Sequence, residues 1–262
     1  MIPQHSSALF ISDLHLTPSM PLTAQRFFDF CEKEASNVEA VFILGDLFEY
    51  WVGDDANVNS PFQQEVKRTL LALSSRVKTY YLHGNRDFLI GADFLLRTGM
   101  TLIPDPSKIL ICGDEFVLSH GDMLCTADVG YQIFRSWVHK PWLQTVFLKM
   151  PVKWRRNIAN NLRSNSTAKY QRASRYTPDI ARIRTNVTQN ACAALMKDQA
   201  ATKLIHGHTH MPARHHESQG EYDWQRWVLS DWDLDHPESI LPKASALQID
   251  ENGIRYLDLV QS

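Results

Sequence analysis

Short apolar runs recur along the chain at the spacing of a layered α/β protein. Residues 8–12 (ALFIS), 40–44 (AVFIL) and 77–82 (VKTYYL) read as buried strands. Helical periodicity fills the gaps between them. Residues 21–35 (PLTAQRFFDFCEKEA) carry apolar positions at helical spacing. Residues 60–73 (SPFQQEVKRTLLAL) open with Ser60 as N-cap, Pro61 at the first helical position and Gln63 placed to complete a capping box. This alternation predicts parallel strands joined by crossover helices. Two hairpins follow, residues 108–120 around Gly113-Asp114 and residues 245–260 around Asn252-Gly253. Strand signals stop from about 126 to 200, where the chain reads as several helices, the last starting at Thr177-Pro178. A strand returns at 202–205 (TKLI). The expected organisation is an α/β core, residues 1–125 and 201–262, interrupted by a helical insertion at 126–200.

Each apolar run ends in chemistry. The first leads into Asp13-x-His15, the second into Asp46 and the third into Asn85-Arg86-Asp87. The first hairpin ends in His120, and the returning strand ends in His208-x-His210. Burying carboxylates and imidazoles costs several kcal/mol unless each finds a partner. Open α/β sheets place their sites beyond the C-terminal ends of strands. Glycines 45, 84, 121 and 207 stand beside these residues, where the backbone must turn or approach closely. Asp13, His15, Asp46, Asn85, His120, His208 and His210 are too many ligands for one tetrahedral zinc. They suit two ions of higher coordination that share a carboxylate. Histidine and carboxylate without thiolate point to Mn, Fe or Zn rather than Mg or Cu(I).

Composition sets the surroundings. The 262 residues are 44% hydrophobic with a formal net charge of −2, which hides an asymmetry. Residues 135–184 hold twelve Lys and Arg against a single acid, Asp179, so this stretch carries about +11 and the remainder about −13. Something anionic is expected to meet the middle of the chain. The cysteines (Cys31, Cys112, Cys125, Cys192) form no CxxC pair and are expected to be reduced and mostly buried. The N-terminal residues lack the pattern of a signal peptide, and no apolar run reaches the about 20 residues that span a bilayer.

The series DLH, GDLFEYW, GNRD, SHGD and GHTH resembles the calcineurin-type metallophosphoesterases. Within them it is similar to the branch acting on UDP-2,3-diacylglucosamine in lipid A synthesis, and the match extends into LCTADVGYQIFRSWVHKPWLQ. The resemblance implies an α+β sandwich of two packed mixed sheets flanked by helices, with a helical cap. It implies that Asp13, His15, Asp46 and His210 hold one manganese ion. Asp46, Asn85, His120 and His208 would hold the second, with Asp46 bridging. It further implies that Asp46, Asn85, Arg86 and His120 serve catalysis. Asn85, Arg86, Asp128, Ser166 and His208 would contact substrate. Beyond Ser166 the match falters, and Lys169, Arg172 or Arg175 could each supply a cationic contact. The family's usual Arg after GHTH is Met211 here.

A pair of ions acidifies a water and neutralises charge on phosphoryl oxygens, which suits hydrolysis of a phosphate ester or anhydride. Many members of the family read GNH where this chain reads GNR, and their His is thought to protonate an alkoxide. Arg86 is a poor acid but a good bidentate clamp. A phosphate leaving group needs no such acid, so Arg86 favours a pyrophosphate substrate; the bland alternative is a salt bridge to Asp87. The expected reaction is cleavage of UDP-2,3-diacylglucosamine to UMP and 2,3-diacylglucosamine 1-phosphate. The alternative is a soluble, ADP-ribose-like nucleotide pyrophosphohydrolase. A scaffold without catalysis would have lost ligands, and all seven positions are filled.

The basic stretch mixes Trp137, Trp142, Phe147, Leu148 and Trp154 with Lys and Arg. A solvated face, a single-strand nucleic-acid surface and a lid for a lipid-bearing substrate compete for it. The resemblance favours the lid, peripheral on the cytoplasmic face of the inner membrane. On that reading no nucleic acid and no obligate protein partner are expected. Trp51, Trp224, Trp227 and Trp232 are expected to pack, while His83, His206, Asp87 and Asp122 are candidates to orient ligands.

Overall fold

The fold is that of a computed structural model, which describes residues 3–57, 60–176, 185–220, 222–236 and 241–260; the side chains of 57 and 165–176 lie outside that description. In chain order the elements are β1 (Gln4–His5), β2 (Ala8–Ile11), α1 (Pro21–Glu32), β3 (Ala40–Leu44), α2 (Pro61–Ser74), β4 (Lys78–Leu82), α3 (Ala92–Thr98) and β5 (Thr101–Leu102). There follow β6 (Ser107–Ile111), β7 (Asp114–Ser119), α4 (Val129–Val138), α5 (Pro141–Leu148) and α6 (Val152–Tyr176). The chain ends with α7 (Gln189–Asp198), β8 (Lys203–His206), β9 (Ala213–Gln219), β10 (Tyr222–Val228), β11 (Ser245–Asp250) and β12 (Gly253–Asp258).

The apolar runs pair into two six-stranded mixed sheets. One has the order β12-β11-β2-β3-β4-β5, parallel from β2 to β5; the other has the order β1-β6-β7-β8-β10-β9. Successive side chains on a strand face opposite ways. Phe10, Phe42 and Leu44 therefore turn between the sheets, against Phe116, Leu118, Ile205 and Trp227. Leu9, Ile11, Val41 and Ile43 turn outward onto Phe27, Phe30, Val66 and Leu70 of α1 and α2. Burial on both faces is why β2 and β3 read as unbroken apolar runs. Phe10, Phe42 and Tyr80 stack across three strands, with ring centroids 5.0 and 4.7 Å apart. The expected architecture of two packed mixed sheets flanked by helices is the one observed.

Local differences have physical reasons. Ser60 Oγ accepts from Gln63 N (3.5 Å), as the N-cap reading predicted. The reciprocal half of the box is missing, because the Gln63 side chain is buried and its Oε1 has no partner. Both hairpin loops sit one residue earlier than predicted. They are Cys112-Gly113 (φ 51° and 83°) and Glu251-Asn252, because Ile111 pairs with Asp114 and Asp250 with Gly253. Strands β9 and β10 were not predicted. β9 is a polar, largely exposed edge strand, and β10 interrupts its apolar positions with Asp223, Gln225 and Arg226. Trp51, Trp224, Trp227 and Trp232 are buried as expected, and Cys112 is the exposed member of four free cysteines.

Helix α7 falls inside the stretch read as an insertion, yet it packs on the outer face of the second sheet. Cys192, Leu195 and Met196 meet Val117, Leu204 and Trp224 there. Helices α4–α6 are held differently, largely by arginines. Arg135 Nε reaches Asp122 (2.7 Å). Arg155, 1% exposed, grips Asp55 (2.8 Å through Nη1) and the Val52 carbonyl. Arg156 donates to the Ala56 carbonyl, and Arg163 pairs with Glu49 (2.9 Å). Four of the twelve cations of the basic stretch thus fasten it to the core. The expected helix start at Thr177-Pro178 lies outside the described residues. Among the described residues no helix is long and apolar enough to cross a membrane.

Candidate metal centre

The loops after β2 and β3 are laced together by their backbones. Asp13 N donates to Gly45 O (3.1 Å), His15 N to Asp46 O (3.0 Å) and Leu16 N to Leu47 O (2.9 Å). Asp87, after β4, closes the arrangement. One of its oxygens accepts from Gly84 N (3.0 Å) and Asp46 N (3.2 Å), the other from Leu47 N (2.7 Å) and Phe48 N (3.3 Å). Both oxygens are thus taken by backbone donors, so Asp87 orients the Asp46 loop rather than serving as a salt-bridge partner for Arg86. A Cβ at Gly84 would collide with Asp46 Oδ1 and N, so only glycine lets the two loops meet here. Asp13, His15, Asp46, His208 and His210 all have left-handed backbones, with φ between 48° and 67°. That conformation costs about 1–2 kcal/mol per non-glycine residue and persists where the surroundings impose it.

All seven predicted ligands converge. In one group His210 Nε2 lies 3.4 Å from Asp13 Oδ1 and 3.5 Å from His15 Nε2. In the other, Asn85 Oδ1 lies 3.0 Å from both His120 Nε2 and His208 Nδ1. Asp46 Oδ2 is 3.8 Å from His120 Nε2, while its Oδ1 accepts from Arg86 N (2.8 Å). Ligand atoms of Asp13, Asp46 and His120 also fall within 4.8 Å of one another, which puts the two carboxylates at the centre.

The residues present fit a cation pair. His120 Nδ1 donates to Leu44 O (2.9 Å), which leaves Nε2, 3.0 Å from Asn85 Oδ1, as the nitrogen that can bind a cation once its proton is lost. Asp13 Oδ1 is buried and accepts no hydrogen bond. A buried carboxylate oxygen without a donor is unfavourable, and a cation held among these oxygens and nitrogens would satisfy it. Burial pushes the Asp46 carboxyl up to about 7, with Asp87 and Asp13 adding to the effect. Burial also opposes charge on Asp13, but His210, His120 and His15 outweigh it and hold that carboxyl far below its usual range. His120 is raised to about 9, because Asp46, Asp13 and Asp122 overcome its burial. Burial lowers His15 to about 3 and His208 to about 4. Coordination requires the ligands deprotonated, so loading a cation displaces protons from this cage.

Several contributors escaped the sequence reading. Asp231 Oδ2 lies 3.5 Å from His210 Nδ1, and Glu49 Oε2 lies 3.5 Å from His15 Nδ1. Asp231 follows β10, so the strand-end rule would have found it had β10 been recognised. Glu49 lies within GDLFEYW, with nothing local to mark it. Asp122 was a candidate to orient ligands; it accepts from Tyr131 OH (2.5 Å) as well as Arg135, and so ties α4 to the turn after His120. Asp128 is the N-cap of α4, accepting from Tyr131 N (3.1 Å). Ser166, Lys169, Arg172 and Arg175 are on α6, with side chains outside the described residues. Neither remaining histidine candidate bonds a ligand side chain: His83 meets Ile90 O (2.9 Å), while His206 meets Gly207 O (2.8 Å) and Arg226 (3.2 Å).

A dinuclear cage at the strand ends of a two-sheet sandwich defines a metallophosphoesterase. Residues 7–212 match the model of the calcineurin-like phosphoesterases, and the chain belongs to that family. Among its curated relatives, the UDP-2,3-diacylglucosamine hydrolase of Ralstonia nicotianae is 44% identical over 245 residues, covering 92% of this chain and 88% of the relative. The enzyme of the same name from Aliivibrio fischeri is 42% identical over 225 residues, covering 86% and 90%. That from Escherichia coli is 41% identical over 241 residues, covering 92% and 95%.

Proposed function

We propose that this chain hydrolyses the pyrophosphate bond of UDP-2,3-diacylglucosamine to give UMP and 2,3-diacylglucosamine 1-phosphate, with two manganese ions as cofactor. The observation that carries the reading is the convergence of Asp13, His15, Asp46, Asn85, His120, His208 and His210 on one part-buried cage in which the buried Asp13 Oδ1 has no hydrogen-bond donor. When bound, a cation pair supplies charge for phosphoryl oxygens and an acidified water. Asp13, His15 and His210 would hold one ion, Asn85, His120 and His208 the other, with Asp46 shared. Arg86 stands half-buried beside Asn85, its backbone N bound to Asp46, and its guanidinium clamps the diphosphate. The departing sugar phosphate is a weak base and leaves without a proton donor. Asp128, at the start of α4, and Ser166 with Lys169 or Arg172, on α6, would contact substrate.

Helices α4–α6 form the lid of this site. Ile133, Trp137, Trp142, Val146, Trp154 and Leu162 are exposed on them, a surface that suits acyl chains and a lipid interface. Cations of the stretch that grip neither core nor substrate, the exposed Lys149 and Lys153 among them, suit anionic head groups at the cytoplasmic face of the inner membrane. A hydrolase for soluble nucleotides has no use for such an apolar face. Turnover in isotope-labelled water tests the reaction: the label is expected in UMP, and label in the sugar phosphate contradicts attack on the uridine side. Preference for ADP-ribose over the diacylated UDP-sugar would overturn the substrate.

A further inference from the structure

The imidazoles of the first cation group are each backed by a carboxylate, and each carboxylate is engaged by a cation. His210 Nδ1 faces Asp231, whose other oxygen lies 3.3 Å from Lys243 Nζ. Lys243 precedes β11, so this chain of contacts lies wholly within the core. His15 Nδ1 is buried, has no hydrogen-bond partner, and lies 3.5 Å from Glu49 Oε2. The other Glu49 oxygen is held at 2.9 Å by Arg163 Nε. Arg163 is on α6, so this second chain of contacts leaves the core and ends in the helices over the site.

The backbone keeps Glu49 in place. Its N–H donates to Leu16 O (3.4 Å), the residue after His15, and Leu16 bridges to Phe48 in parallel fashion. The same helix grips the continuation of this loop, through Arg155 at Val52 and Asp55 and Arg156 at Ala56. The segment from Asp46 to Ala56 is therefore fixed at one end in the cage and at the other under α6. A carboxylate on the far nitrogen of a ligating imidazole fixes its tautomer and ring orientation, and loss of such a partner typically weakens metal binding about 10–100-fold.

We propose that Glu49 is a positioning residue for His15 and that Arg163 aims its carboxylate, so that docking of α6 governs how tightly the first cation is held. This rests on the reading of the cage as a dinuclear metal centre. The lid then does more than cover substrate: its seating and the completeness of the metal site are linked.

The test is a manganese titration of the metal-stripped full-length protein, followed by electron paramagnetic resonance. The parent is expected to take up two ions. Glu49→Gln should weaken one of them by at least about tenfold and leave the other unchanged. Arg163→Ala should weaken the same ion by a smaller factor. Adding Arg163→Ala to Glu49→Gln should cost nothing more, since Arg163 acts through Glu49. Circular dichroism of the metal-free proteins checks folding, and Arg163→Ala at an exposed position carries the test if Glu49→Gln is unfolded. Unchanged titrations in Glu49→Gln and Arg163→Ala would overturn the proposal, as would additive losses in the double variant. A parent that binds no manganese would instead overturn the metal centre itself.

Discussion

Asp13, Asp46 and His120 are buried, the first two in left-handed backbone, whereas Trp137, Trp142 and Trp154, on the helices beside them, stand half or more exposed. The cage is over-determined: four backbone N–H groups meet Asp87 alone, and Gly84 leaves no room for a methyl group. Helices α4–α6 lean on a few ionic anchors and present their apolar residues outward. On the proposed reading, the tightly bonded loops are where cations are held, and the exposed apolar helices are where acyl chains enter. Mutations should therefore separate the regions, costing chemistry in one and docking or substrate capture in the other.

The largest separation is expected at Asp46. Asp46→Asn should lower kcat/KM by at least about 10²–10³-fold. The thermal midpoint of the metal-free protein should stay level or rise, because a buried acid among acids is relieved. A lowered midpoint in the metal-free protein would show that the cage carries stability and would blur the contrast. Arg86→Ala is next, with a loss on the order of 10²-fold in kcat/KM if a preorganised clamp on phosphate is removed. Arg86→Lys should recover only part, since an ammonium cannot grip two oxygens in one plane; full recovery would argue for charge alone.

Arg155→Ala should cost about 2–3 kcal/mol of docking for α5 and α6, the scale of lost hydrogen bonds to a charged group. Hydrogen exchange reads this locally, with faster exchange across Pro141–Leu148 and none added in β2 or β3. Uniform loss of protection would mean that lid and core unfold as one unit. The smallest effect is expected from Trp137→Ser with Trp142→Ser. Removing this apolar surface should raise KM for the diacylated substrate about tenfold while kcat and the melting midpoint barely move. An equal change with a substrate lacking acyl chains would remove the lipid argument.

Much of the cage was legible because β2, β3, β4 and β8 are buried on both faces and announce their ends. An apolar run that stops at Asp13, Asp46, Asn85 or His208 is visible without a structure. What was not legible depends on partners far away in the chain. Asp231 and Glu49 look like ordinary acids until His210 and His15 are folded against them. The left-handed backbones at Asp13, His15 and Asp46 have no signature in residues that are not glycine. The whole basic stretch was expected to meet something anionic, yet Arg135, Arg155, Arg156 and Arg163 bond to the core. Helix α7 was assigned to the insertion because its apolar stripe does not say which surface it covers.

The central claim is that seven side chains from five strand ends enclose one pair of cations. Anomalous diffraction from a crystal grown with manganese measures this directly. Two peaks are expected, one among Asp13, His15 and His210 and one among Asn85, His120 and His208, with Asp46 between them. A map with no peak at the cage, or with manganese bound only elsewhere on the molecule, would contradict the account.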